Sequence, residues 1–285
     1  MKKRPDYFDK YKTFTFERQD NGVLIVHYHS DGGPVLYCDL HHSEWAPAFT
    51  DIGMDRDNRV VIFTGTGDTF IDKHGHWERP MELPRHYEIA IYDQAVMMQR
   101  LLEIPVPVIC AVNGPALIHA ELVVVGDITI CSEKAVFADE GHFPSGETPG
   151  DGVIPVFQEL LGINRGTYFI LTGQKIDAQT ALELGIANEV VPHEELLPRA
   201  LEIANQMATY TDLTLRTTRQ CTVDRWKRVL SESIGISNGM AIEVLAHIDR
   251  GWMVWDGSAE GNEDAARLRT VKPKDEWLVG AKSRR

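Results

Sequence analysis

The stretch Pro107-Val108-Ile109-Cys110-Ala111-Val112-Asn113-Gly114-Pro115 decides the fold of this chain. Its first six residues are apolar without interruption, the pattern of a short strand buried on both faces rather than one with a solvated side. Asn-Gly-Pro stops the strand. Ala116-Leu117-Ile118-His119-Ala120 then leads into a helix start, where unsatisfied backbone N–H groups could hold a developing oxyanion. Working outward, strand-type runs at 23–27, 59–64, 127–131 and 135–137 alternate with helical patterns at 43–54 and 88–102. That order implies parallel strands joined by helical crossovers, an α/β architecture. Beyond Asp151 the pattern turns helical, with one strand at 188–191 and long amphipathic stretches at 194–209 and 224–248. The expected organisation is a core over 1–209, a helical region over 210–255 and an extended or mobile tail over 256–285, with Trp277 and Leu278 able to dock it.

The composition narrows the partners. A chain of 285 residues with 43% hydrophobic and 25% charged content can bury a substantial core. A formal net charge of −13 leaves no basic face for phosphate, so neither nucleic acid nor an anionic membrane surface is expected, and a neutral or hydrophobic small molecule fits better. Cysteines 38, 110, 131 and 221 form no CxxC pair, which points to a reducing, cytoplasmic compartment. No stretch approaches the roughly 18 apolar residues of a membrane span, and residues 1–19 hold no run of signal-peptide type.

Three segments place glycine, proline and titratable residues after strands, where α/β proteins assemble sites. Thr64-Gly65-Thr66-Gly67-Asp68-Thr69-Phe70 is a glycine turn without the third glycine of a dinucleotide fingerprint. The Asn-Gly-Pro segment is the second. The third, Glu140-Gly141-His142-Phe143-Pro144-Ser145-Gly146-Glu147-Thr148-Pro149-Gly150-Asp151-Gly152, has a histidine near one end and an aspartate near the other. If the loop doubles back, the Asp151 carboxylate orients one ring nitrogen of His142 and the other faces a water. Two plainer readings stand beside this one: Asp151 as a helix cap before Val153, and His142 as a surface-loop histidine.

These motifs resemble the crotonase (enoyl-CoA hydratase/isomerase) superfamily. The resemblance rests on Gly65-Thr66-Gly67-x-x-Phe70, on Pro107-Val108-Ile109-x-Ala111-Val112-Asn113-Gly114, on Phe137 through Pro149-Gly150-x-Gly152, and on Leu171-Thr172-Gly173-Gln174-x-Ile176-x-Ala178. It covers 23–251 and implies a crotonase-like spiral of ββα units with a helical C-terminal region. The chain departs from the acyl-CoA pattern in several places. Ile71-Asp72-Lys73-His74-Gly75 stands for Ser-Ala-Gly-x-Asp, Ile118-His119-Ala120 stands for a triple glycine, and Leu122 and His142 stand at the two catalytic glutamates. The intact loop from His142 to Gly152 is similar instead to the branch that includes 6-oxocamphor hydrolase and other β-diketone hydrolases.

That branch implies a hydrolase cleaving a carbon-carbon bond of a 1,3-diketone (retro-Claisen) to a keto acid, without cofactor. The implied catalytic residues are His142, Asp151, His119 and Glu243. The implied substrate-binding residues are Tyr37, where the branch has tryptophan, and His42, with His41 admitted by a one-residue change of register. Trp77 is a further candidate for closing the pocket. The resemblance also implies a homotrimer, or a hexamer built from two trimers. The alternatives are an acyl-CoA hydratase or isomerase, a silent crotonase-fold binding protein, and a metal-dependent hydrolase using His74-x-His76 or His41-His42. The last lacks a carboxylate or third histidine at a spacing that completes a ligand set, so no metal is expected.

Overall fold

The computed structural model describes residues 4–76 and 84–247. Trp77, the tail after His247 and the side chain of Glu243 lie outside the described residues, as do Trp277 and Leu278. The chain opens with β1 (Phe14–Arg18), β2 (Val23–Tyr28), β3 (Val35–Tyr37) and α1 (Asp39–Met54). Then come β4 (Val60–Thr64), β5 (Ile71–His74), α2 (Pro84–Glu103), β6 (Val108–Val112) and the one-turn α3 (Glu121–Val124). β7 (Ile128–Ser132), β8 (Val136–Phe137), α4 (Val153–Leu161), α5 (Ile163–Thr172), β9 (Ile176–Asp177) and α6 (Ala178–Glu183) follow. The described residues close with β10 (Glu189–Val191), α7 (Leu196–Met207), α8 (Asp212–Thr222) and α9 (Asp224–His247).

Two strand layers arise from one repeating step. The larger sheet runs β1-β2-β4-β6-β7-β10, parallel except for the antiparallel β1–β2 pair. β3 pairs with β5 in parallel, single-residue bridges link Ile71 to Ala116 and Ala116 to Phe137, and β8 pairs with β9. Each of four successive turns therefore sends one strand to the large sheet, one short segment to the second layer, and then a helix. This is the ββα spiral expected from the sequence.

Burial follows the period of two. Val23, Ile25, Val60, Ile62, Ile109, Ala111 and Ile130 face α7 through its Leu196, Ala200 and Ala204, which recur every four residues on one helical stripe. The alternate residues Leu24, Val26, Val61, Phe63, Cys110 and Val112 enter the larger core. β4 and β6 are buried along their whole length, which is why both read as uninterrupted apolar runs. β1 escaped the sequence reading: Phe14 and Phe16 point inward while Thr15 and Glu17 point out, a pattern hidden in a charged and aromatic terminus.

The two glycine motifs form one unit. Asn113 Oδ1 accepts the Gly65 N–H at 3.1 Å, while its Nδ2 donates to the carbonyls of Gly67 and Thr69 at 2.8 and 2.9 Å. A Cβ on Gly114 would lie 1.9 Å from the Asp68 carbonyl oxygen, so only glycine permits that approach. The Gly65–Phe70 turn is thus a structural clamp. At the far end, α9 packs on α2 and α4. Arg219 of α8 is buried and donates to Asp127 Oδ2 at 2.6 Å and to the Leu102 carbonyl at 3.1 Å, which anchors the helical region in the core.

Candidate active site

The second strand layer places the site. Tyr37 ends β3 and its register partner His74 ends β5; one turn further on, His119 follows the Ala116 bridge, and Asp139 and His142 follow β8. Ladder bonds hold these ends together: Gly75 N–H to Tyr37 O (2.8 Å), Leu117 N–H to Ile71 O (2.8 Å) and Glu140 N–H to Leu117 O (2.8 Å). The backbone N–H groups of Ala116, Leu117 and Ile118 are taken up by strand neighbours and are not free to hold an oxyanion.

A buried row of alternating carboxylates and imidazoles results. Glu121 Oε1 lies 2.8 Å from His119 Nδ1, which lies 2.7 Å from Asp151 Oδ2. The same Asp151 oxygen is 3.2 Å from His142 Nε2, and His142 Nδ1 is 2.7 Å from Asp139 Oδ1. The ring N–H groups point in line at Glu121 and Asp139, and Asp151 is approached off line by both rings as a shared counter-ion. All five side chains are buried. The N-cap of α4 is Gly152 rather than Asp151, although Asp151 Oδ1 accepts the Val153 N–H at 3.3 Å where that helix starts. His142 is a buried residue, not a surface one.

The charges follow from these contacts. Burial by itself lowers His142, but Asp139 and Asp151 outweigh it and hold the imidazole well above its ordinary value. For His119, Glu121 and then Asp151 outweigh burial and push it up to about 9. Asp151 is opposed by burial, yet the two cations, His142 first, hold it well below the usual carboxylate range. Glu121 is pushed up to about 7, by burial and then by the charge of Asp151. Glu147, half-buried on the same loop, is also pushed up to about 7, chiefly by burial.

The neighbouring aromatic groups are neutral. The Tyr37 ring centroid lies 4.4 Å from that of His119, and burial keeps the phenol protonated as a donor. His42 faces the site with its ring 5.0 Å from Tyr37 and 5.9 Å from His119; burial and then His119 hold it well below its usual value. His41 turns away, 3.1 Å from Ser30 Oγ through Nε2 and accepting the Cys38 N–H at Nδ1, which resolves the register in favour of His42. His74 is lowered to about 3, by burial and then by His119 and His142. His76 is exposed, so the His74-x-His76 pair does not share one environment.

Sequence reasoning brought Tyr37, His42, His119, His142 and Asp151 together, and the structure does so too. It missed Glu121 and Asp139. The signals were present: Glu121 is the single charge in Ala120-Glu121-Leu122-Val123-Val124-Val125, and Asp139 stands three residues before His142. Among the described residues, His119, Glu121 and Asp151 are the group whose donor atoms lie close enough to be considered for a metal ion. His119 Nδ1 stands 2.8 Å from Glu121 Oε1 in a charge-assisted hydrogen bond and 2.7 Å from Asp151 Oδ2 in an ion pair. Ligands around tetrahedral zinc, with bonds of about 2.0–2.2 Å, stand about 3.3 Å apart.

This fold has known counterparts. The enoyl-CoA hydratase/isomerase family profile matches residues 37–255, and the chain belongs to that family, the crotonases. Within the family, it is similar to a β-diketone hydrolase from the cyanobacterium Anabaena sp. PCC 7120, solved bound to (S)-3-oxocyclohexyl acetic acid. The two are 39% identical with a TM-score of 0.82, over 85% of this chain and 97% of that one. Among curated relatives, a probable mitochondrial enoyl-CoA hydratase from Dictyostelium discoideum is 32% identical over 65% of this chain and 66% of its own length. A probable peroxisomal enoyl-CoA hydratase 1 from Arabidopsis thaliana is 30% identical over 69% and 70%. The chain thus spans about two thirds of the length of these relatives. An enoyl-CoA hydratase/isomerase from Mycobacterium paratuberculosis, 22% identical with a TM-score of 0.74 over 85% of this chain and 97% of that one, shares the fold. Among the described residues no helix is long and apolar enough to cross a membrane.

Proposed function

We propose that the chain is a hydrolase that splits a carbon-carbon bond of a 1,3-diketone, with His142 and Asp151 activating water. The observation that carries this reading is the shared Asp151 oxygen between two histidines, each braced by a second carboxylate. Asp139 and Asp151 hold His142 protonated at rest, so the reactive form is the free base reached when the imidazolium gives up its Nε2 proton; with Nδ1–H still donated to Asp139, the lone pair is then on Nε2. That lone pair and the Asp151 oxygen are both acceptors 3.2 Å apart, so a water that donates one proton to each relieves their repulsion and is poised as a nucleophile. The water oxygen bonds to one carbonyl carbon and its proton passes to Nε2. When the tetrahedral intermediate collapses, the bond to the central carbon breaks and its electron pair becomes an enolate delocalised onto the second carbonyl.

Tyr37, as a neutral phenol, and His119, as a cation, supply donors for the oxygens that gain charge, and His42 adds a neutral imidazole beside them. The proton held by His142, or one from Glu243, returns to the enolate carbon. Likeness to the Anabaena enzyme supports the reading, since the ligand named with that structure is a keto acid of the kind hydrolysis of a bicyclic 1,3-diketone leaves. Its relatives in sequence make acyl-CoA chemistry the second reading, and Glu121 puts a carboxylate in the site that such chemistry could use.

The test is turnover by EDTA-treated protein of a bicyclic 1,3-diketone, a linear 1,3-diketone and crotonyl-CoA, with product masses. A keto acid heavier than its diketone by one water supports the proposal. Turnover of the thioester alone sinks it in favour of the acyl-CoA reading.

A further inference from the structure

Glu121 takes part in no bond-making or proton-transfer step of the water-activating scheme. It is wholly buried in an apolar run whose neighbours Leu122, Val123 and Val124 enter the core. For folding alone an apolar residue of similar volume would cost less than a carboxylate there. Its Oε1 takes the in-line hydrogen bond from His119 Nδ1 at 2.8 Å, and its Oε2 has no hydrogen-bond partner among the described residues despite being buried. His119 Nδ1 carries one proton and meets two carboxylates; the hydrogen bond goes to Glu121, and Asp151 stands 2.7 Å away off line. Asp151 is thereby left to answer to His142.

Resting on the diketone hydrolase reading, we infer that Glu121 is a positioning residue acting through His119: it fixes the proton on Nδ1 and keeps the ring cationic, so that Nε2–H can donate to the enolate oxygen. The other titratable groups around His119 do not substitute for it. Tyr37, His42 and His74 are neutral, His142 is a like charge, Asp151 is shared, and Glu147 reaches His119 only through space. Burial pushes Glu121 up to about 7, so the pair His119–Glu121 can lose a proton near neutral pH. Protonation of Glu121 weakens its hold on the imidazolium.

The experiment is a pH titration of the full chain labelled at histidine, followed by NMR, with His119→Asn identifying the His119 signal. In Glu121→Gln, which keeps shape and removes charge, the His119 midpoint is expected to fall by about one pH unit or more. kcat should fall about tenfold or more while KM stays within about threefold. An unchanged His119 midpoint in folded Glu121→Gln overturns the inference. Should Glu121→Gln fail to fold, Asp151→Asn decides: a midpoint still above the ordinary histidine value supports Glu121 as the holder, and a return to that value overturns it. Because the titration needs no substrate, failure of the diketone reading and failure of this one are seen separately.

Discussion

Asp139 Oδ1 lies 2.7 Å from Nδ1 of His142, three residues along the same loop, and takes the nitrogen that an orienting carboxylate must hold. The free-base tautomer is therefore set by Asp139, with Nε2 left for water. Asp139→Asn keeps the shape and loses the charge, so kcat is expected to fall about 10–100-fold, against about 10²–10⁴-fold for His142→Ala. Steady-state kinetics alongside a thermal melt check this. A wild-type kcat in Asp139→Asn would make that hydrogen bond purely structural.

Asp151 stands differently, because its Oδ2 meets both imidazoles and its Oδ1 accepts the first backbone N–H of α4. Asp151→Asn preserves an oxygen for the Val153 N–H while withdrawing the counter-ion from two cations. The turnover number should fall further than substrate affinity, since a neutral diketone gains little from the carboxylate before charge develops. Measured kcat and KM decide it: a rise in KM with kcat unchanged contradicts the shared counter-ion.

How much of this was legible in the sequence depends on the element. The apolar runs of β4 and β6 announced themselves because both faces are buried. β3 and β5 did not, because Val35-Leu36-Tyr37 is too short and Ile71-Asp72-Lys73-His74 too polar to show a period; they are strands because each completes the other's ladder. The same limit applies in the site. His142 and Asp151 could be named from a loop with the right ends, but the contact of Asp151 with His119 depends on how adjacent turns of the spiral align. Glu121 lies two residues from His119 and Asp139 three from His142, so each pair is local; what spacing along the chain could not show is that Asp151 stands between the two imidazoles.

His119 has a φ of +54°, in the left-handed region, at a place where the resemblance expected glycine. A non-glycine residue there costs about 1–2 kcal/mol, and the two carboxylates on Nδ1 hold it in place. Asparagine tolerates this conformation and a β-branched residue does not. His119→Asn should remain folded with catalysis impaired, and His119→Val should lose about 1–2 kcal/mol more stability than His119→Asn. Chemical denaturation of the two variants measures the difference. Equal stabilities would mean that the left-handed backbone carries no strain here.

Stability against pH should peak near neutrality, because the site holds histidines shifted in opposite directions. His41 at about 4, His74 at about 3 and His42 well below its usual value are neutral in the folded protein. Unfolding lets them take up protons, so stability is lost as pH falls below about 6.5. His119 and His142 are raised, so the folded state holds their protons more tightly than the unfolded one. Their contribution is full below about 6.5 and is lost as pH rises, through about 9 for His119. For His119 alone that loss is on the order of 3 kcal/mol. The raised carboxyls of Glu121 and Glu147 add a decline between 4.5 and about 7, which broadens the maximum without moving it into the alkaline range. Calorimetric Tm from pH 5 to 10 should fall on the alkaline side in the wild type and flatten there in a His119→Asn, His142→Asn double variant. An alkaline decline of equal size in that variant would show that the two imidazoles are not held as cations.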